Sequence, residues 1–163
     1  MKKFIKKIIN CLRHDKDNNK NDKILFQIGS SHLIMNRQNY PKVKNLNELD
    51  FKVFSQSGED GIIDYLLHSL NIEVPKFVEI GTVNYKESNT RFLFEKNNAK
   101  GLVIDCLKDL SSKISKNTVL WKGDLEIVEK FVNSENVNSI LEENKFNQKL
   151  DLFSLDVDGI DYW

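Results

Sequence analysis

Acidic side chains and glycine turns follow four short apolar runs, and these residues are the best candidates for chemistry. The first run, FVEI, contains an acid and is followed by Gly-Thr, and the second, GLVI, is followed by an aspartate. The third, TVLW, is followed by Lys-Gly-Asp, and the fourth, DLFSL, by Asp-Val-Asp. Carboxylates can accept hydrogen bonds from a ribose diol, take up a proton or bind a hard cation. The candidates are Glu79, Gly81, Thr82, Asp105, Asp124, Asp156 and Asp158.

The apolar runs are typical of buried strands. In the segments between them, apolar residues recur at the spacing of a helix. Alternating strands and helices indicate a parallel α/β sheet, in which ligands bind beyond the carboxyl ends of the strands. The candidate groups are therefore expected along one edge of a sheet. The predicted strands cover residues 77–81, 101–105, 118–121 and 150–156, and the predicted helices cover residues 58–70, 88–97, 107–116, 125–132 and a stretch around 137–141.

This arrangement favours a nucleoside ligand. Asp105 follows the Gly81 turn by roughly 20–25 residues, the interval at which an acid on the second strand binds ribose hydroxyls. Gly81 would let the backbone approach the ligand closely, and the predicted helix start at Ser88 and Asn89 offers N–H groups to a carboxylate or phosphate. The turn has one glycine where a dinucleotide fingerprint has three. A pyrophosphate ligand is therefore disfavoured.

The sequence leaves a structural alternative open for each candidate. Asp105 either binds ribose or is a solvated acid at a strand end, and Glu79 either lines the site or accepts a bond from a backbone N–H. Gln56 and Glu59 either line an acceptor pocket or belong to a loop. The two aspartates after the fourth run either take up a proton, bind a divalent cation or cap a following helix. Asp60 is interpreted as a cap of the predicted helix 58–70, with a catalytic acid as the alternative.

Four segments of the chain resemble the FkbM-type and related class I methyltransferase-like proteins. They are FSQSGEDGII (54–63), FVEIG (77–81) followed by ESNTRFL (87–93), GLVID (101–105) and DLFSLDVDGIDYW (151–163). The likeness covers about residues 54–163, and its first and last segments are the most specific. It implies a Rossmann-like domain that binds S-adenosylmethionine and transfers a methyl group to a hydroxyl or amine of a small or glycan-like acceptor.

The resemblance also implies roles for individual positions. Glu79, Gly81 and Thr82 match the first cofactor motif, and Asp105 matches the ribose-binding acid. Asp124 with Leu125 matches a loop on the adenine side, and Asp156 matches an acid close to the methyl group and the acceptor. The family's seven-stranded sheet has the order 3-2-1-4-5-7-6, of which this chain is expected to contain about four strands, so that the domain is incomplete at its C-terminus. For that reason the sequence leaves open whether the chain is an active enzyme.

Two other functions remain as alternatives. The first is a nicotinamide-dependent oxidoreductase that uses the same acid on the second strand, which the missing glycines disfavour. The second is an inactive, truncated Rossmann-like protein that acts as an interaction module, because an unpaired edge strand can associate with a partner or form a homodimer.

The charge of the chain is unevenly distributed although its net value is zero. Residues 1–23 carry eight basic and three acidic side chains, and the remaining chain therefore has a net charge of −5. An acidic body argues against nucleic-acid binding. The basic, amphipathic residues 1–13 either contact an anionic membrane surface, at the inner membrane face, or form a frayed or locally packed terminal helix. Two distant cysteines without a C-x-x-C spacing are typical of reduced thiols and favour a cytoplasmic protein. The histidine and cysteine spacings do not indicate a metal site.

The predicted organisation has three parts. Residues 1–23 form a basic segment with a polar linker over 15–23, residues 24–53 form an N-terminal extension, and residues 54–163 form the partial Rossmann-like domain.

Overall fold

The computed structural model describes residues 20–157 and residue 159, and within them the chain forms a four-stranded, all-parallel sheet. The spatial order of the strands is β3-β2-β1-β4, so that β1 and β2 are central. The predicted α/β class, an incomplete Rossmann-like sheet of about four strands, is confirmed. The strands are β1 (Lys76–Ile80), β2 (Lys100–Asp105), β3 (Asp124–Glu129) and β4 (Leu152–Leu155).

Five α-helices and three short 3-10 segments surround the sheet in the described part of the chain. Most of the predicted helices occur within a few residues of their expected bounds. The α-helices are α1 (20–36), α2 (Glu59–Ser69), α3 (Arg91–Asn97), α4 (Leu110–Asn117) and α5 (Val137–Glu143), and the 3-10 segments are Arg37–Lys42, Leu46–Leu49 and Leu120–Lys122.

The two faces of the sheet pack against different helices, as the alternation of side chains along each strand requires. Phe77 and Val103 face a core that contains Leu93 of α3 and Ile114 of α4. Their neighbours along the strands face a second core, which Ile140 of α5 and Phe146 complete. Because Glu79 lies two residues after Phe77 in β1, its side chain points to the same face as Phe77.

The third strand is not where the sequence predicts it, and this prediction is wrong. Residues 118–121 run into the 3-10 segment Leu120–Lys122, and the stretch predicted as a helix over 125–132 contains β3 instead. The alternation of Leu125 and Ile127 with acids has a period of two, which the helical interpretation overlooked. Gly123, just before β3, leaves room for this start, because a Cβ there would lie 2.5 Å from the Ala99 carbonyl oxygen, to which the Asp124 N–H donates at 3.1 Å.

The predicted polar linker over 15–23 is also wrong for the part that the structure describes, since residues 20–23 lie in α1. Asp22 of this helix pairs with Arg91 of α3 at 2.7 Å, and Phe26 contacts Phe92 edge to face. The predicted amphipathic segment 1–13 lies outside the described residues. Within residues 20–157, no helix is long and apolar enough to cross a bilayer.

Candidate functional site at the ends of β1 and β4

A cavity of about 230 Å³ lies at the carboxyl ends of β1 and β4. The structure brings seven of the predicted site residues together in its wall, in agreement with their expected position along one edge of the sheet. Three further residues of the β1–α3 connection complete the lining. The predicted members are Gln56, Glu79, Gly81, Thr82, Ser88, Asn89 and Asp156, and the additional ones are Val83, Asn84 and Glu87.

Gly81 allows the end of β4 to pass directly against the end of β1. Its φ of 88° lies in the left-handed region, and its N–H donates to the Ile104 carbonyl at 3.0 Å. A Cβ at this position would lie 1.7 Å from the backbone oxygen of Asp156, whose own N–H donates to Ile80 at 3.0 Å. The glycine is therefore required for strand packing, which brings Asp156 into the cavity wall.

Glu79 organises the connection from β1 to α3. Its buried carboxylate accepts bonds from the Ser88 hydroxyl at 2.7 Å, from the backbone N–H groups of Asn89 and Thr90 at 3.2 Å each, and from the Thr90 hydroxyl. Burial raises the pKa of the Glu79 carboxyl, and these donors oppose the increase. Both open interpretations of Glu79 thus apply, because the side chain lines the cavity and also bonds backbone N–H groups.

The start of α3 has few N–H groups left for an anion. Glu79 occupies the N–H groups of Asn89 and Thr90, and the Ser88 hydroxyl oxygen accepts from the Arg91 N–H at 3.2 Å. The Asn89 side chain donates to the Ser154 hydroxyl of β4 at 3.3 Å. A pyrophosphate would meet a carboxylate here instead of free donors.

Thr82 contributes a hydroxyl that has no hydrogen-bond partner among the described residues. The residue is only 2% exposed, and it lies in the cavity wall. Leaving such a group unpaired costs roughly 1–3 kcal/mol. A ligand with a polar atom would satisfy it.

Asp105 ties the loops after β1 and β2 together at the same edge of the sheet. Its Oδ2 accepts from the Val83 N–H and its Oδ1 from the Leu107 N–H, each at 2.8 Å. Each carboxylate oxygen offers two acceptor sites, so that one remains on each for a diol. Val83 has a φ of 51°, which is unusual for a β-branched residue, and its side chain is 60% exposed.

Two predicted cofactor residues, Asp124 and Leu125, are not brought to this site. They begin β3, and the register pairs Asp124 with Lys100 at the amino end of β2, so that both lie at the opposite edge of the sheet. The exposed Asp124 carboxylate forms an ion pair with Lys100 at 2.9 Å. The acid that pairs with Asp105 at the carboxyl ends is Glu129, which the misplaced third strand concealed.

Glu59, Asp158 and Gln56 are the remaining predicted site residues, and of these only Gln56 lines the cavity in the part of the chain that the structure describes. Glu59 does not line the cavity, and its carboxylate accepts from the Ser57 N–H at 2.8 Å in its own loop. Asp158 lies outside the described residues. Gln56, in contrast, reaches the cavity from the N-terminal side of α2.

The ionisable side chains that line the cavity are all acids in the part of the chain that the structure describes. Glu79, Glu87 and Asp156 belong to the lining, which contains no lysine or arginine among the described residues. Lys52 pairs with Glu87 at 3.0 Å between two exposed side chains, where solvent screens the interaction. The wall thus favours cationic groups and hydroxyl or amine donors.

Comparison of the chain with models of known protein families, with curated proteins and with solved structures gives no significant match in any of the three.

Proposed function

We propose that the chain is an S-adenosylmethionine-dependent methyltransferase domain that acts on a hydroxyl or amine of a small or glycan-like acceptor. The main support is the lining of the cavity, whose described ionisable side chains are all acids. Asp156 is exposed, whereas Glu79 is buried and Glu87 pairs with Lys52 outside the wall. S-adenosylmethionine carries a sulfonium and an ammonium group, and carboxylates at close range favour both.

The sheet and its first turn support the same choice. The order β3-β2-β1-β4 is the beginning of the seven-stranded order that the resemblance implies. Dinucleotide-binding sheets share this strand order, so the order alone does not distinguish them from methyltransferase sheets. The hydrogen bonds at the start of α3 provide the distinction. Glu79 and Ser88 accept from the N–H groups of residues 89–91 at this turn, which disfavours a pyrophosphate there and thus the nicotinamide-dependent alternative.

Thr82 and Asp105 would bind different parts of S-adenosylmethionine. The Thr82 hydroxyl would bond the amino-acid part of the ligand, and Asp105 would accept from the ribose hydroxyls. Since pockets for drug-sized ligands measure about 300–1,000 Å³, a cavity of about 230 Å³ would hold only part of the ligand, with the rest extending over Val83 towards Asp105.

Methyl transfer depends mainly on holding the acceptor atom in line with the methyl group. S-adenosylmethionine would supply the methyl group, and S-adenosylhomocysteine would leave. Asp156, which is exposed and lines the cavity, would take the proton that the acceptor hydroxyl loses.

Isothermal titration calorimetry of the full chain with S-adenosylhomocysteine tests the proposal. We expect saturable binding, and we expect Asp105→Ala to weaken it by roughly 1–3 kcal/mol, because ribose hydroxyls would lose their acceptor. A parallel fluorescence titration with NADH is expected to show no binding.

Asp124→Ala is the matched control, since it removes an acid of the same type at the opposite edge of the sheet. It should leave the affinity unchanged. Absence of heat with S-adenosylhomocysteine at millimolar concentration, or equal effects of the two variants, would contradict the proposal.

A further inference from the structure

Asp60 of α2 holds the chain that precedes its own helix. Its Oδ2 accepts from the N–H groups of Val53 and Phe54 at 2.7 Å each, from the Ser55 N–H at 2.9 Å and from the Ser55 hydroxyl at 3.0 Å. The sequence interpretation of Asp60 as a helix cap is wrong, because Gly58 occupies the N-cap position and the Asp60 carboxylate accepts from residues that precede the helix. The Asp60 N–H itself donates to the Ser55 hydroxyl at 3.2 Å. The backbone N–H groups of the three successive residues 53–55 all donate to Oδ2 of Asp60.

This carboxylate is satisfied on one side only. Asp60 is 3% exposed, and its Oδ1 has no partner among the described residues. Burial raises the pKa of Asp60 in spite of the bonds to Oδ2. The carboxylate nevertheless pairs three buried N–H groups that would be unsatisfied without it, and it thereby fixes the geometry of residues 53–55.

The chain held by Asp60 leads directly to the cavity. Gln56 follows Ser55 and lines the wall. The Phe54 carbonyl accepts from the Ser88 N–H at 3.0 Å, and Lys52 donates to the Gln56 carbonyl at 2.8 Å while it pairs with Glu87. Residues 53–56 are therefore fixed by Asp60 on one side and joined to the β1–α3 connection on the other.

We propose that Asp60 is a positioning residue that acts through Gln56. By fixing residues 53–55, it would hold the exposed residue Gln56 at the cavity wall, from which its side-chain amide could both donate to and accept from a hydroxyl of the acceptor. The part of this inference that concerns the acceptor rests on the proposed methyltransferase function. The positioning of Gln56 by Asp60 is independent of that function.

NMR spectroscopy of the full chain tests the positioning without a ligand. The wild type should show cross-peaks from the Gln56 side-chain NH₂ to the cavity wall, and slow hydrogen exchange at the amides of residues 53–55. Asp60→Ala should lose the cross-peaks and raise the exchange rates by at least about tenfold. Asp60→Asn should restore both, since its amide oxygen can replace Oδ2.

Asp64→Asn is the matched control, because Asp64 is equally buried on the same helix and bonds Arg37, Tyr40 and Lys96 instead. It should lower the melting temperature and retain the Gln56 cross-peaks. If Asp60→Ala does not fold, Asp60→Glu replaces it, and the displaced carboxylate should abolish the cross-peaks. Cross-peaks that persist in the Asp60 variants, or vanish in Asp64→Asn, would overturn the positioning role.

Calorimetry with S-adenosylhomocysteine then separates the two proposals. Gln56→Ala should change its affinity by less than about twofold, because the side chain would face the acceptor. A loss of tenfold or more would assign Gln56 to the cofactor and overturn its acceptor role. If the wild type does not bind at all, the methyltransferase proposal fails, and the NMR result alone decides the positioning.

Discussion

Glu79 shows how one side chain can belong to a cavity wall and also hold a turn. It is buried in β1, and four donors from residues 88–90 surround its carboxylate. The donors lower its pKa, yet burial outweighs them and raises it above the ordinary value of 4.5. The folded state therefore binds a proton more readily than the unfolded state.

The sign of this pKa shift predicts how Glu79→Gln responds to pH. The protonated carboxyl of Glu79 contributes stability below pH 4.5, and this contribution is lost as the pH rises through the folded pKa. Gln cannot titrate, so the destabilisation caused by Glu79→Gln should be greater near pH 4.5 than near pH 8. Urea denaturation at several pH values measures it.

Glu87→Gln is the control, because Glu87 is an exposed acid in the same cavity wall. Its effect on the free energy of unfolding should be small at every pH. A destabilisation by Glu79→Gln that grows as the pH rises would contradict the direction given for the Glu79 pKa.

At the scale of elements, the turn after β1 determines how closely β4 can approach. Gly81 and Gly159 both have a φ of 88°, but their surroundings differ. A Cβ on Gly81 would overlap the Asp156 backbone oxygen, whereas no described atom lies within 4 Å of a Cβ on Gly159. Comparing alanine substitutions at these two glycines therefore separates the free-energy cost of the left-handed backbone conformation from the cost of the steric overlap with Asp156.

Gly81→Ala should therefore destabilise the protein more than Gly159→Ala. Both variants place a Cβ in the left-handed region, which costs about 1 kcal/mol, and Gly81→Ala adds an overlap of typically about 1–3 kcal/mol. Chemical denaturation of both variants measures the difference. Equal losses would show that β4 does not need to pass so close to Gly81.

At the scale of the whole molecule, β4 lies at one end of the sheet, and its outer edge has no partner strand among the described residues. Phe153 and Leu155 of this strand are 48% and 41% exposed. Apolar side chains on an open edge favour association with another chain.

We expect self-association that increases with protein concentration, and we expect Phe153→Lys to reduce it. Sedimentation velocity at low and high concentration measures this. Trp121→Lys is the control, because Trp121 is 84% exposed but lies before β3, at the opposite side of the sheet from β4. A monomer at both concentrations would argue against the interaction-module alternative.

Sequence patterns predict the sheet well because buried parallel strands leave a strong local signal. The runs around Val78, Leu102 and Phe153 are rich in apolar residues, and all three are strands. The signal is misleading at residues 118–121, where Thr-Val-Leu-Trp has strand-like composition but runs into a 3-10 segment. That error assigns Asp124 and Leu125 to the wrong edge of the sheet.

The details of the cavity are less predictable, since they depend on contacts between distant residues. Because ligand-binding groups collect at the carboxyl ends of parallel strands, the sequence alone predicts that Glu79, Gly81 and Asp156 lie together. It does not show that Glu79 and Ser88 accept from the N–H groups of residues 89–91, or that the Thr82 hydroxyl is buried without a partner among the described residues. The role of Asp60 is equally hidden, because its donors precede the helix that it is expected to cap.

The position of β1 between β2 and β4 has a consequence for the order in which the chain folds. Phe77 pairs with Gly101 on one side and with Leu152 on the other, so the second pairing closes a much longer loop. Closing a longer loop costs more entropy, and distant pairings form more slowly than local ones. During synthesis, β1, β2 and β3 can therefore associate first, while the other edge of β1 stays exposed on the nascent chain until residue 155 has left the ribosome.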